Sequence, residues 1–282
     1  MRQIPVIATI REAYSFTFAN LGAIIGLIWL PMVLYTVGEF FITQNYGNQV
    51  QAAIAAGNPN AAGPAVLALF LFFLAALALH AIMLTAVTQL ALGQRQGGAM
   101  IHFTFGALEW RVFRNLFGVA LFLLPGYLLM LLSTGRAEAA GAASAQGGVA
   151  LLVTLLLALA LIYFSVRLSA LLLPVVLAEE KSVLVRAWTL TAGNFWRLLG
   201  VFVGVAVPVY LVVIFAMAAI IGGGLTPGAM PTPDEVSALQ QANMPLISGL
   251  KFFVAPLVLG LTASASVICW RGLKGPSVDV FA

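Results

Sequence analysis

The chain has 282 residues, of which 62% are hydrophobic and only 8% are charged, and its formal net charge is +4. A soluble domain carries about 25% charged residues, so this composition excludes an ordinary soluble protein and indicates a membrane protein. Cys269 is the single cysteine, which excludes an intramolecular disulfide.

Six long apolar runs follow one another along the sequence. A helix that crosses the hydrocarbon core needs roughly 20 mostly apolar residues, and the alternating pattern of a β-barrel is absent. The sequence therefore predicts an all-α polytopic membrane protein with six transmembrane helices, at Leu21–Ile42, Val66–Leu92, Leu116–Thr134, Val149–Leu177, Leu198–Ile221 and Leu246–Trp270.

The first two runs contain three polar residues that could have a function. Glu39, toward the end of the first run, either binds a cation or proton or reaches water from the helix end, and we favour the second interpretation. His80, near the middle of the second run, could relay protons or bind metal. No second His or Cys stands at ligand spacing, so a neutral, hydrogen-bonded His is favoured. Gln89 lies near the end of the same run.

The fourth run is interrupted by Arg167, with Leu168–Leu177 still apolar beyond it. Either the helix ends near Arg167 and a re-entrant or interfacial segment follows, or the Arg lies inside the membrane against a partner. Extension of the side chain to the interface costs least, and Pro174 favours a break. If any residues line a ligand site, we expect Arg167 and Gln89 to do so, because they occupy comparable places in their runs.

Three segments share one layout: an aromatic amphipathic stretch, an Asn, a Gly, and then an apolar run with Pro and Tyr. The sequence thus predicts one membrane domain, 1–282, of three units (about 1–95, 96–178 and 179–282), each an interfacial helix plus a transmembrane hairpin. Two spans per unit make the repeats parallel. The alternative is a chance coincidence of Gly, Pro and aromatic residues. The motif positions are Asn20 and Gly22, Asn115 and Gly118, and Asn194 and Gly200.

The basic residues that flank the runs are divided very unequally. Eleven of the thirteen lie on one side, and only Arg136 and Lys251 lie on the other. By the positive-inside rule, both termini are predicted to be cytoplasmic. The interfacial helices could bind anionic headgroups, but we favour helices that orient the next span.

The stretch Arg186–Gly200, placed before a span with Pro, resembles the membrane domain of bacterial glycerophosphoryl diester phosphodiesterases and the related six-helix proteins of the YciC type. The resemblance implies a six-helix module of the bacterial inner membrane. In the fused relatives a separate soluble barrel performs hydrolysis, and no segment here is long or polar enough to be that barrel.

We find no nucleotide-binding, metalloprotease or serine-hydrolase motif. The sequence favours a non-enzymatic membrane scaffold, assembly factor or subunit, without catalytic residues, metal or cofactor. Its expected partners are membrane lipids and a membrane protein or second copy, not nucleic acid. The alternative is a small transporter or channel for a lipidic or apolar solute, and a third interpretation, an intramembrane enzyme, lacks a convergent acid, base or metal site.

Overall fold

The structure is a computed structural model that describes residues 3–47, 63–95, 103–140, 144–178, 183–222 and 242–274, with a few loop residues between them. All regular structure in this part is helical, so the all-α prediction is confirmed. The helices are α1 Val6–Ala19, α2 Leu21–Ile42 with a π-turn Thr43–Gly47, α3 Gly63–Leu92, α4 Ala107–Ala140, α5 Ala145–Ser169, α6 Leu172–Ala178, α7 Val183–Thr191, α8 Phe195–Gly222 and α9 Met244–Lys274.

Six of the described segments are long and apolar enough to cross a membrane, as predicted. They are α2, α3, α4, the α5–α6 segment, α8 and α9. The chain is therefore compatible with a multi-pass integral membrane protein. Several helices extend beyond the apolar run that predicted them, because polar residues continue the backbone hydrogen bonding at both ends.

Helix α9 lies at the centre of the molecule and packs on α1, α2, α3, α6 and α8. Half of its most apolar segment is buried inside the protein, against 6% for the fourth span. The α4–α5 hairpin packs closely within itself and is peripheral. Its outward side chains are large and apolar, as expected of a surface that faces lipid.

Close packing around α9 depends on a missing side chain. A Cβ at Gly260 would lie 2.7 Å from Thr17 Cγ2 and 2.9 Å from Ile24 Cδ1. Only a glycine therefore allows α1 and α2 to approach α9 this closely, as in other membrane helix pairs.

The short helices α1 and α7 precede α2 and α8 and are separate from them, as predicted for the first and third units. Helix α1 ends at Asn20, whose Nδ2 donates to Phe16 O at 2.8 Å. Helix α7 ends before Gly193, which has φ of +76°. This left-handed conformation suits glycine and terminates the helix.

The second unit differs from the prediction, because no separate helix ends at Asn115. Asn115 lies inside α4 and donates from Nδ2 to Arg111 O at 2.8 Å. The preceding residue is Arg114, which continues a helix, where the third unit has Gly193. The helix instead begins at Ala107, where Glu109 Oε2 accepts from Gly106 N at 2.9 Å in the manner of a capping box.

The fourth predicted run forms two helices, α5 and α6, with a turn at Ala170–Leu171, as the alternative with a break near Pro174 predicted. Pro174 has no N–H and cannot bond the carbonyl four residues before it, that of Ala170. Ser266 Oγ on α9 donates to this carbonyl instead. The hydroxyl therefore satisfies the acceptor that the proline leaves open.

Candidate functional site

Arg167 lies near the end of α5, and its side chain bonds to residues of α7. It is 9% exposed. Its Nε donates to Thr191 Oγ1 at 3.0 Å, Nη1 donates to Tyr163 OH at 2.9 Å, and Nη2 donates to Trp188 O at 2.7 Å. The side chain is therefore buried against protein partners and does not extend to the surface.

Aromatic rings surround the guanidinium of Arg167. Its Cζ lies 3.9 Å from the centroid of the Trp188 ring and 5.7 Å from that of Tyr163. Phe164 stacks on Trp188, and Phe195 lies 4.9 Å from Tyr163 between ring centroids. A cation–π contact within about 6 Å is attractive, and more so when it is desolvated. Neutral groups therefore stabilise this charge, and no acidic side chain of the described residues forms a salt bridge with it.

Glu39 pairs with Lys251 near the ends of α2 and α9, with 2.8 Å between Oε1 and Nζ. The Glu39 side chain is 22% exposed and that of Lys251 is 51% exposed. The pair links the first and third hairpins. Lys251 was not predicted as a partner of Glu39 from the sequence.

His80 is half-buried on α3. Its Nδ1 lies 2.9 Å from Ala76 O one turn earlier, and its ring meets Tyr35 edge-on at 5.0 Å between centroids. Nδ1 must carry the proton to make this hydrogen bond. The ring is therefore bonded to the backbone of its own helix.

Gln89 and Arg167 do not form a common site. The hydrogen-bonding partners of Arg167 come from α5 and α7. Gln89 is half-buried on α3, where its backbone carbonyl accepts from Gln94 N at 3.0 Å.

The motif glycines are not sites of close helix packing. A Cβ at Gly22 or Gly118 would meet nothing within 4 Å, and one at Gly200 would make an ordinary contact with Val6 at 3.6 Å. The close approaches are at other glycines, such as Gly260. Asn194 is 4% exposed, and its carbonyl accepts from Leu198 N in the first turn of α8.

The three hairpins α2–α3, α4–α5 and α8–α9 meet around a cavity of about 340 Å³, here named the central cavity. Most of its wall is apolar, with four hydroxyl side chains. It is lined by Leu84, Leu116, Ser165, Val166, Ser169, Ala170, Leu172, Leu173, Phe202, Thr262 and Ser266. None of these residues is charged, and Arg167 is not among them, since it faces α7 on another side of α5.

The central cavity and the partners of Arg167 were not predicted from the sequence. Trp188 and Thr191 are three residues apart and therefore share one face of α7, which was the available signal for a common contact. The hydroxyls of the cavity carried no comparable signal, because Ser and Thr are common in membrane helices and bond their own backbone.

No group of three or more His, Cys, Asp or Glu side chains in the described ranges could hold a metal ion. Comparison of the chain with known protein families, with curated proteins and with solved structures gives no match.

Proposed function

We propose that the chain is a non-enzymatic integral protein of the bacterial inner membrane, with both termini in the cytoplasm, that acts as a scaffold, assembly factor or subunit. One observation carries this proposal: the three candidate ionisable groups of the predicted spans are engaged with the protein itself. Arg167 holds α7, Glu39 binds Lys251, and His80 bonds the backbone of its own helix. Groups that have such partners stabilise a fixed arrangement of helices.

The proposed internal symmetry is three parallel units about an axis near the membrane normal. The packing order supports it, because the second helix of each hairpin contacts the first helix of the next, in the pairs α3–α4, α5–α8 and α9–α2. In addition, α1 packs on α8 and α9, and α7 packs on α5. Thr17 and Thr191 both stand three residues before the motif Asn and are both fully buried.

The proposed partners are lipids and either another membrane protein or a second copy of the chain. The outward face of α4 and α5 supports this proposal, since it offers large apolar side chains such as Leu128, Leu132 and Leu156. Membership of the YciC-like six-helix family also remains a proposal, which rests on the segment Arg186–Gly200.

The test is ion and proton flux in liposomes that contain the purified protein, with a pH-sensitive dye inside. We expect the flux of protein-free liposomes. In cells, His80→Gln should keep normal abundance and phenotype, because a Gln amide can still donate to Ala76 O. His80→Leu should lower abundance, because it leaves that carbonyl without its side-chain donor. Proton flux that His80→Gln abolishes at normal abundance would overturn the proposal.

A second candidate function, a carrier for a lipidic solute, is favoured by the central cavity. The packing between α5 and α8 is the sparsest of the three contacts between successive hairpins, and the cavity lies at this contact. Transfer of a fluorescent lipid between the leaflets of liposomes tests it. A carrier gives protein-dependent transfer that stops when Leu84→Phe fills the cavity, and a scaffold gives none.

A further inference from the structure

The hydroxyls of the central cavity have a defined hydrogen-bonding state. Thr262 Oγ1 donates to Val258 O at 2.7 Å, Ser169 Oγ donates to Ser165 O, and Ser266 Oγ donates to Ala170 O. Each hydroxyl has one proton, so these three oxygens can only accept from a ligand.

Ser165 is the fourth hydroxyl of the cavity. Its Oγ makes no hydrogen bond to a described residue, so it can donate its proton. The cavity thus offers several acceptors and one donor. A ligand hydroxyl has the complementary need, because it donates one proton and accepts one.

The charge of the cavity restricts its ligands further. Its lining contains no cation, and one neutral donor does not satisfy a carboxylate or phosphate, which accepts several hydrogen bonds. An ionised group that is buried without a partner is strongly disfavoured. Anionic headgroups are therefore excluded from the cavity, and a neutral polar group is admitted.

A second cavity lies beside the first, between α8 and α9. It measures about 140 Å³ and shares Phe202 and Thr262 with the central cavity. Its walls extend along α8 to Tyr210, about 12 Å from Phe202 at 1.5 Å per residue. Apart from the hydroxyls of Thr262 and Tyr210 its lining is apolar, which suits a hydrocarbon chain.

Both cavities begin near the basic end of the predicted spans. Ser266 lies four residues before Trp270, where the sixth predicted span ends, and Phe202 lies four residues after Leu198, where the fifth begins, which is about 6 Å along each axis. A hydroxyl here would be deeper than a charged headgroup, with its chain directed away from that end of the bundle.

We propose that the two cavities together bind a neutral lipid with a free hydroxyl, such as a long-chain alcohol or a diacylglycerol. Its hydroxyl lies between Ser165 and Thr262, its chain lies along α8 past Phe202, and it enters from the bilayer between α5 and α8. The proposal rests on the membrane location of the proposed function but not on the scaffold role.

The test is photolabelling of the purified full chain in lipid nanodiscs. The probe is a long-chain alcohol with a diazirine in its chain, and the comparison probe is the sulfonic acid of equal length, which stays ionised in an apolar site where a carboxylic acid would be neutralised. We expect saturable labelling by the alcohol within α8 or α9 that excess unlabelled alcohol or diacylglycerol abolishes. Labelling by the acid should be at least about tenfold weaker, because its charge has no partner in the cavity.

Variants of the cavity hydroxyls test the assigned contacts. Ser165→Ala and Thr262→Val should each weaken labelling about three- to tenfold, as expected for one hydrogen bond, and Leu84→Phe should abolish it by filling the cavity. The matched control is Thr134→Val on α4, whose hydroxyl donates to Leu131 O outside the cavity. This variant should label like the unmodified chain.

Equal labelling by alcohol and acid, unsaturable labelling, or an equal effect of Thr262→Val and Thr134→Val would overturn the inference. Alkaline carbonate extraction of membranes is measured on the same proteins. Extraction of the chain by carbonate would contradict the proposed membrane location. If the chain stays in the membrane but is labelled equally by alcohol and acid, only the lipid site is contradicted.

Discussion

Arg167 is held by neutral groups, and this determines how its substitution should act. Lysine at this position keeps the charge but cannot reproduce three hydrogen bonds in a fixed plane or stack flat on Trp188. We expect Arg167→Lys to lower the free energy of unfolding by about 1–3 kcal/mol, in the range of lost hydrogen bonds to a charged group. Thermal unfolding in detergent, followed by tryptophan fluorescence, measures the change.

The matched control for this substitution is Arg186→Lys on α7, whose side chain is exposed. Exposed substitutions usually change stability by no more than about 0.5 kcal/mol. If the two Lys variants unfold at the same temperature, the guanidinium of Arg167 does not stabilise the contact between α5 and α7.

The Glu39–Lys251 ion pair should contribute little to stability. Lys251 is about half exposed, and exposed pairs are typically worth about 0.2–1 kcal/mol. A double-mutant cycle with Glu39→Gln and Lys251→Met should therefore give a coupling free energy below about 1 kcal/mol. A coupling of several kcal/mol would show that the pair is buried in the folded protein and joins α2 to α9 strongly.

At the scale of the elements, the glycine at position 260 controls how closely α1 and α2 pack on α9. A methyl group there overlaps Thr17 and Ile24, and Thr17 is β-branched and has little freedom to move. Gly260→Ala should therefore destabilise the protein by about 1–3 kcal/mol, as overpacking does. Thermal unfolding again gives the measurement.

Gly249 provides the control, because it lies on the same helix and a Cβ there meets nothing within 4 Å. Alanine is the better helix former, so Gly249→Ala should be neutral or slightly stabilising. A Gly260→Ala variant as stable as Gly249→Ala would mean that α1 and α2 do not pack this closely on α9.

The sequence predicted the helices well where hydrophobicity or a missing N–H determines them. The apolar runs predicted six long helices. The break near Pro174 was one of two alternatives for the fourth run, and it was favoured because proline has no N–H. The prediction failed at Asn115. In the third unit Gly193 before Asn194 adopts a left-handed conformation and ends the helix, whereas in the first unit α1 ends at Asn20 directly after Ala19, without a glycine. In the second unit Arg114 stands at the equivalent place and has no preference for a left-handed conformation.

The contacts between residues distant in the sequence could not be predicted from the sequence. Glu39 and Lys251 are more than 200 residues apart. Two of the three hydrogen-bonding partners of Arg167, Trp188 and Thr191, lie on α7, more than 20 residues further along the chain. Helix α1 is also bonded to a residue distant in the sequence, because Tyr14 OH donates to Val205 O on α8 at 3.0 Å. Burial raises the pKa of Tyr14 and keeps it a donor near neutral pH.

At the scale of the whole molecule, the two ends of the helix bundle differ in charge, and one of them is basic. The basic residues of α1, α7 and the end of α9 lie at the end of the bundle where α1 begins and α9 ends, together with Arg167 and its aromatic rings. Arg271 is bonded there to the carbonyls of Ala91 and Leu92. The proposed topology places this end in the cytoplasm, and with it the hydroxyl end of the central cavity.

The central claim is that the chain crosses the membrane six times with its basic end in the cytoplasm. Two exposed glutamines at opposite ends of the bundle test it directly: Gln44 follows α2 and Gln94 follows α3. In a Cys269→Ala background, Gln44→Cys should react with an impermeant maleimide on intact cells, and Gln94→Cys only after permeabilisation. The reverse pattern, or reaction of both in intact cells, would contradict the account.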